Sequence, residues 1–204
     1  MRRQGAHAEV GPDAPGTIRA VTWIWIVVLV PAVLLLYGIV AFNRLVRHRN
    51  RVDSSWAGID VQLRRRYDLI PNLVETVKGY ARHEQAIFER VADARAGAIA
   101  AKDVGQQAQA ENMLTGALRQ LFAVAEAYPD LRANQNFLAL QEELTATEGR
   151  IAFARQFFND AVLTYNNTVQ QFPSVLVASM FGFKTREFFE IDQAAGGPVQ
   201  VDFS

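Results

Sequence analysis

The chain contains no cysteine. This absence excludes disulfide bonds, thiol catalysis and cysteine-ligated iron–sulfur clusters, but it does not fix the compartment, because disulfide-free proteins occur everywhere. Glycine and proline are scarce, at 13 and 7 of 204 residues, which is too few for a disordered chain. Half of the residues are hydrophobic, so the sequence predicts a packed core.

The chain also lacks an excess of charge of either sign, since its formal net charge is zero. No global positive field therefore indicates a nucleic-acid-binding protein. Positive charge is concentrated between Asn43 and Arg66, where seven arginines stand against two aspartates. Basic residues interleaved with aromatics, which are typical of nucleic-acid-binding surfaces, occur nowhere else, and we expect no nucleic-acid partner.

One long segment has no charged residue, and its apolar run is Val21–Phe42. A helix of this length spans roughly 33 Å, enough for a hydrocarbon core of about 30 Å. Trp23 and Trp25 lie near one end and Tyr37 near the other, as interfacial aromatics often do. A cleaved signal peptide is the alternative, but the run is too long and no small-residue cleavage site follows it. The sequence therefore predicts a single transmembrane helix.

Four arginines follow the apolar run directly, at Arg44, Arg47, Arg49 and Arg51. The positive-inside rule then places the C-terminal part of the chain in the cytoplasm and the N-terminus outside. The same side chains are also placed to contact anionic lipid headgroups. We therefore expect a single-pass protein of the cell membrane with the lipid bilayer as one partner.

Beyond the membrane run, apolar residues recur at alternating steps of four and three from Val52 to Ala98, filling twelve of fourteen such positions. This period is typical of a helix packed against other helices. Pro71 falls inside the run, and since the phase is kept on both sides, it indicates a kink or a short break within one helix. A straight helix of this length would extend on the order of 80 Å beyond the membrane.

Three further helices are predicted. The first spans Val104–Ala127, and the second follows the Tyr128–Asp130 stop signal with an apolar seam from Phe137 to Phe172. The third is short, Ser174–Phe181, with Ser174 as its N-cap and Gly182 as its stop. The predicted fold is all-α, an N-terminal transmembrane helix followed by an antiparallel up-and-down bundle of three long helices and a short fourth.

The expected organisation has four parts. These are a disordered N-terminal tail at 1–20, a transmembrane helix at 21–42, a helical bundle at 43–183 and a partly extended tail at 184–204.

Two stretches resemble the LemA family of bacterial membrane proteins. They are Asn43–Arg95, which includes IDVQLRRRYDLIPNLVETVKGYA, and Ala123–Phe189, which ends in QQFPSVLVASMFGFKTREFF, and the closing VDF also fits. The resemblance covers about three-quarters of the chain. It implies one N-terminal membrane helix and an antiparallel four-helix domain, and a magnetosome-biogenesis branch belongs to the same family. The family's biochemical role is not established, and the longer N-terminal tail departs from its usual pattern.

The sequence offers little for catalysis. Its histidines are His7, His48 and His83, and His83-Glu84 lacks the second histidine that a zinc-protease helix needs. The glutamates of the later helix, Glu142, Glu143 and Glu148, are not followed by histidine three residues on, as a di-metal bundle requires. We therefore predict no catalytic residue, no cofactor and no metal site.

Charged residues form a pattern on the first helix after the membrane. Asp60, Arg64 and Asp68 are spaced to pair along one face, and Glu75 can pair with Lys78. Such a face is commonly only solvated; the alternative is a partner-binding surface made of Asp60, Arg64, Asp68, Asn72, Glu75 and Lys78.

Arg66 is the exception, because it lies on the apolar seam and must find a carboxylate partner when buried. Glu148 and Glu84 are the candidate partners.

The leading functional hypothesis is a non-enzymatic, membrane-anchored interaction or scaffold protein that binds a protein at the membrane. The alternative is a self-assembling, membrane-shaping protein of the inner leaflet, which would use the arginines after the membrane run. A third hypothesis, a metal-dependent enzyme, would require a bound metal.

Overall fold

The computed structural model describes residues 15–190, with side chains from Trp25 onward. The described chain contains α1 (Pro15–Lys78), α2 (Gln85–Ala100), α3 (Val104–Glu126), α4 (Pro129–Arg132), α5 (Gln135–Gln170) and α6 (Ser174–Met180). The predicted all-α fold with a long apolar N-terminal helix is confirmed. Of the predicted tails, positions 1–14 and 191–204, including the closing VDF, lie outside the described residues.

Helices α1, α2, α3 and α5 form an up-and-down four-helix bundle. The Lys78 ammonium lies over the Phe88 ring and Arg95 reaches Tyr67, so α2 runs antiparallel to α1. Helix α3 returns along α2, and α5 pairs with α1 over most of its length. Because α1 and α5 extend further toward the membrane run than α2 and α3, they continue there as a two-helix stalk.

The first helix of the bundle is shorter than the sequence predicted. The chain leaves α1 at Gly79 and reverses through a turn that ends at Glu84, so the expected helix to Ala98 is wrong. The apolar seam keeps its period across this turn, and residues of both helices along it, such as Val77 and Val91, lie in the same core. From Phe42 to Lys78, α1 therefore projects about 54 Å beyond the apolar run.

Pro71 lies inside α1 without ending it, so the predicted alternative of a break there is wrong. Proline has no N–H, so the carbonyl of Tyr67 loses its usual helical donor. The Nε–H of Arg95 on α2 donates to that carbonyl at 2.8 Å. A side chain of the neighbouring helix thus replaces the missing backbone hydrogen bond and ties α2 to α1.

The α5 seam is buried as predicted along most of its length, but it ends earlier than expected. Asn134 caps the helix by accepting hydrogen bonds from the backbone N–H groups of Asn136 and Phe137. The core includes Phe137, Ile151 and Tyr165, while Phe172 is 81% exposed. Its predicted inward position is wrong, because α5 ends at Gln170 before reaching it.

Helix α6 begins at Ser174 as predicted, but its N-cap residue is Pro173. The hydroxyl of Ser174 instead lies 2.6 Å from the Thr168 carbonyl and 2.8 Å from the Gln171 carbonyl, and its single O–H group donates to the C-terminal end of α5. Gly182 stops α6 with a φ of 71°, and the N–H of Phe183 donates to the carbonyl of Ala178. This Schellman turn sends the chain back along the stalk.

Candidate functional site

The apolar part of α1 stands apart from the bundle. Side chains from Trp25 to Tyr37 are exposed, although most are large and hydrophobic. Among the described residues, α1 is the one helix that is long and apolar enough to cross a membrane. The exposure is consistent with a lipid environment, since exposed apolar surface on this scale is unusual in water.

An arginine collar follows this apolar part. We use the term for the exposed side chains Arg44, Arg47, Arg49 and Arg51. The Arg51 guanidinium lies over the Phe157 ring at 5.4 Å, so part of the collar packs on α5. Partial burial lowers the pKa of His48, and the positive charges of three collar arginines lower it further. The collar therefore favours a neutral His48 and presents its positive charge through arginine alone.

The six residues of the predicted charged face lie on the outward side of α1, away from the core. Two of the expected ion pairs form there: Arg64 with Asp60 at 3.0 Å, and Lys78 with Glu75 at 3.0 Å. Both pairs are largely exposed, so each is worth at most about 1 kcal/mol. The side chains of this face can therefore give up these ion pairs and contact a partner with little loss of folding stability.

The charged face also carries an apolar residue. Val61 is exposed and lies seven residues before Asp68 and fourteen before Glu75, which places it on the same side of α1. Interfaces commonly combine an apolar centre with a polar rim. The outward side of α1 thus has the composition of a small protein-binding surface.

Beneath this face lies a buried charged cluster. Arg66 is 2% exposed, and its NH1 donates to Glu111 at 2.8 Å. Its NH2 donates to the Thr115 hydroxyl at 2.9 Å. Its Nε lies 3.0 Å from Glu148, at an angle that falls short of a hydrogen bond. Glu148 is confirmed as a partner, whereas the second carboxylate is Glu111 and not Glu84.

Tyr67 and Gln107 complete this cluster. The Tyr67 hydroxyl donates to Glu111, and the Gln107 amide donates to Glu111 at 3.0 Å and to the Tyr67 oxygen at 2.8 Å. Burial raises the pKa of the Tyr67 hydroxyl, and the Glu111 charge raises it further. The tyrosine therefore stays protonated and serves as a hydrogen-bond donor inside the bundle.

The two carboxylates of this cluster differ in environment. Glu111 is fully buried and satisfied by Arg66, Tyr67 and Gln107. Burial raises the pKa of Glu148, and the Glu111 charge raises it further, while Arg66 lowers it. The cluster fixes the register of α1, α3 and α5, since one arginine of α1 pairs with groups from both other helices.

Sequence reasoning missed Glu111 and Gln107, although a signal for them exists. Both fall on the same stripe of α3 as Leu114, Leu118 and Leu121, at steps of three and four. Two polar residues on an apolar stripe, opposite an arginine on another, indicate a buried polar cluster.

The extended segment after α6 is held by two asparagines of α5. Asn166 bonds both the N–H and the carbonyl of Arg186, at 2.8 and 2.9 Å. Seven residues earlier, Asn159 bonds both backbone groups of Phe189, at 2.9 and 3.2 Å. We call Asn159 and Asn166 the asparagine clamp.

The asparagine clamp positions one aromatic side chain of the extended segment between α1 and α5. Phe189 is fully buried, and its ring meets that of Trp56 edge-to-face at 5.5 Å. Trp56 in turn contacts Phe158 at 5.3 Å. Beside them lies a cleft of about 540 Å³ lined by the charged side chains of Asp53, Lys102, Asp103, Arg186 and Glu187, among others. The segment thus packs against α1 and α5 beside the connection between α2 and α3.

The match to protein families agrees with this geometry. The model of the LemA family matches residues 55–203, which is most of the chain. The chain belongs to the LemA family. The match begins on α1 after the arginine collar, and it includes the buried cluster, the asparagine clamp and the extended segment.

Curated relatives of this LemA chain have two kinds of name. It is 26% identical over 184 residues to magnetosome protein MamQ 2 of Paramagnetospirillum magneticum, covering 78% of this chain and 68% of the relative. It is 25% identical over the same length to magnetosome protein MamQ of Magnetospirillum gryphiswaldense. It is 22% identical to protein LemA of Metamycoplasma hominis, covering 74% and 69% of the two chains.

These relatives and the apolar α1 together identify a membrane-associated protein. Within residues 25–190, no group of three or more side chains of the kinds that bind metal is found.

Proposed function

We propose that this LemA-family chain is a membrane-anchored adaptor whose bundle binds a protein partner through the outward face of α1. The observation that carries the proposal is the continuity of α1, which runs for 64 residues from the apolar part to the bundle tip. An unbroken helix transmits position and orientation, so the face stands at a fixed height above the bilayer.

The interior of the bundle supports a structural role. The buried charges of Arg66 and Glu111 are satisfied by each other and by neighbouring side chains. Buried charges that pair with one another in this way fix helix register, whereas catalytic groups need access for a substrate. We therefore infer that the functional surface lies on the outside of the bundle.

The arginine collar supports the membrane geometry of the proposal. Its four exposed cations directly follow the apolar part of α1. By the positive-inside rule the bundle faces the cytoplasm, and the partner is then a cytoplasmic protein or the cytoplasmic part of a membrane protein.

Cross-linking in membranes followed by mass spectrometry tests the proposal. The wild-type chain is compared with a variant carrying Arg64→Glu, Asp68→Lys and Glu75→Lys. We expect one protein partner to be captured by the wild type and lost in this variant. The substituted side chains are exposed, so the variant keeps the fold.

The matched control changes charges on another face. Arg82→Glu, Glu89→Lys and Asp93→Lys shift the net charge by the same amount, and all three positions are exposed on α2 or the turn before it. The control should retain the partner. Equal loss of the partner in both variants, or capture in neither chain, would contradict the adaptor function.

A second candidate function is self-assembly that shapes the membrane. The observation that favours it is Phe153 on α5, which is 75% exposed although it lies far from the apolar part of α1. An exposed aromatic of this kind is a common centre of a self-contact. Curvature of liposomes that grows with protein density, and that Phe153→Ser abolishes, would support this function; self-cross-links alone in the experiment above would also favour it.

A further inference from the structure

We propose that α6 is a second membrane element, which lies in the interfacial layer of the bilayer beside the end of the transmembrane part of α1. The proposal rests on the position of α6, on its exposed apolar side chains and on the absence of acidic residues around it. It concerns a different surface from the partner-binding face and stands independently of it.

The pairing of α1 with α5 sets the height of α6. Trp56 of α1 contacts Phe158 of α5. Ten residues later on α1 and ten residues earlier on α5, Arg66 pairs with Glu148. Fourteen residues in the opposite direction lead from Trp56 to Phe42 and from Phe158 to Phe172. The end of α5 therefore lies level with the last residue of the apolar run.

Direct contacts place the end of α6 at the same level. The ring of Phe42 lies 4.9 Å from that of Phe181 and 5.6 Å from that of Phe183, both edge-to-face. Ala41 is only 4% exposed, although the preceding side chains of α1 are exposed, and α6 packs against α1. Helix α6 therefore covers the last turn of the apolar run itself.

The outward side of α6 is apolar. Leu176 and Met180 lie one turn apart on α6 and are exposed, with Met180 at 78%, and Phe172, two residues before the helix, is exposed as well. Phe181 is exposed beside them. Four large apolar side chains in one patch are unfavourable in water, and a patch of this kind beside a membrane helix fits the boundary between headgroups and acyl chains.

The charge around the patch also favours lipid. No aspartate or glutamate occurs between Asp160 and Glu187, and none occurs on α1 before Asp53. The charged residues near the patch are cations, from the arginine collar and from Lys184. Basic side chains around an apolar patch are the usual composition of a surface that binds anionic membranes.

The bilayer is thus the occupant that the geometry assigns to the patch. With α1 and α6 both in contact with lipid, the stalk is held at two points, and the bundle cannot swing freely about a single helix. This arrangement would fix which side of the bundle faces along the membrane plane.

Single cysteines test the proposal, because the natural chain has none. Full-length Leu176→Cys and Met180→Cys are labelled with bimane and reconstituted in liposomes of phosphatidylcholine and phosphatidylglycerol. Ile39→Cys, in the apolar part of α1, serves as the lipid-exposed reference. Thr145→Cys, at an exposed position on α5, is the aqueous reference, about 40 Å further from the membrane along that helix. Circular dichroism verifies the fold of each variant.

We expect brominated lipids to quench the labels at 176 and 180 to an extent comparable with that at 39, and to leave the label at 145 unchanged. A water-soluble quencher such as iodide should give the reverse order. Iodide quenching at 176 and 180 equal to that at 145 would overturn the proposal. Protection from iodide without quenching by brominated lipid would also overturn it, because protein would then cover the patch. If that protection grew with protein density in the liposomes, the covering protein would be a second copy of this chain.

Discussion

At the scale of single residues, the bundle depends on two arginines that reach across helices. Arg66 joins carboxylates of α3 and α5, and Arg95 replaces the backbone donor that Pro71 removes. Both roles are visible only when the helices are placed side by side. From sequence, Arg66 could be recognised as an arginine that needs a partner, and Glu148 could be named, but Glu111 lies on a helix whose register was unknown.

Replacing Arg66 should destabilise the protein strongly. Arg66→Ala leaves Glu111 buried without its cation, which costs about 3–5 kcal/mol. The matched control is Arg64→Ala, which loses an exposed ion pair with Asp60 and should change stability by less than about 1 kcal/mol. Urea unfolding of the full chain in detergent measures both. Similar losses in the two variants would show that the buried cluster does not hold the register.

Arg95 and Pro71 should be energetically coupled. Arg95→Ala leaves the Tyr67 carbonyl without a donor and costs about 1–3 kcal/mol. In a Pro71→Ala background the new N–H can bond to that carbonyl, so the same substitution should cost clearly less. A double-mutant cycle from unfolding free energies measures the coupling. An additive result would mean that Arg95 acts elsewhere than on this carbonyl.

At the scale of elements, periodicity identified where helices lie but not where the chain reverses. The seam from Val52 to Ala98 has one uninterrupted phase, yet Gly79 starts a turn within it. Pro71 was the stronger breaker by propensity, but a neighbouring helix compensates for it. Phe172 shows the converse error, since it continues the apolar period past the end of α5. At both places the end of the helix depends on contacts with other parts of the chain, which the local sequence pattern does not contain.

The docking of the extended segment is a property of α5 that the sequence did not reveal. Asn159→Ala with Asn166→Ala removes four hydrogen bonds to that segment. We expect hydrogen exchange of the amides of Arg186 and Phe189 to accelerate by on the order of tenfold or more. Gln141→Ala, which removes an exposed amide elsewhere on α5, is the control and should leave exchange unchanged. Unchanged exchange in the double variant would show that Phe189 alone holds the segment.

At the scale of the whole molecule, the membrane anchor and the bundle share one helix. The flanking arginines predict that the bundle lies in the cytoplasm, and α1 sets its distance from the bilayer. Fold class and membrane anchoring followed from composition and periodicity, because a charge-free run and a helical period are strong signals. The partner-binding face did not follow from the sequence, because a solvated helix face and a protein interface have the same sequence pattern.

The predicted orientation has a direct test in cells. A single cysteine introduced at Met113, an exposed position on α3, should react with a membrane-impermeant maleimide only after the membrane is opened. Labelling of Met113→Cys in intact cells would place the bundle outside and would contradict the positive-inside assignment. A cysteine at position 7, before the apolar run, is the reciprocal control.

The central claim is that the outward face of α1 contacts a protein partner, and site-specific photo-cross-linking in living cells tests it most directly. A photoreactive amino acid is placed at Val61, on the face next to Asp60, and in a second chain at Met113 on α3; both positions are exposed. The account predicts one adduct with a different protein from position 61 and none from position 113. Adducts of equal yield from both positions, or only adducts between two copies of this chain, would contradict it.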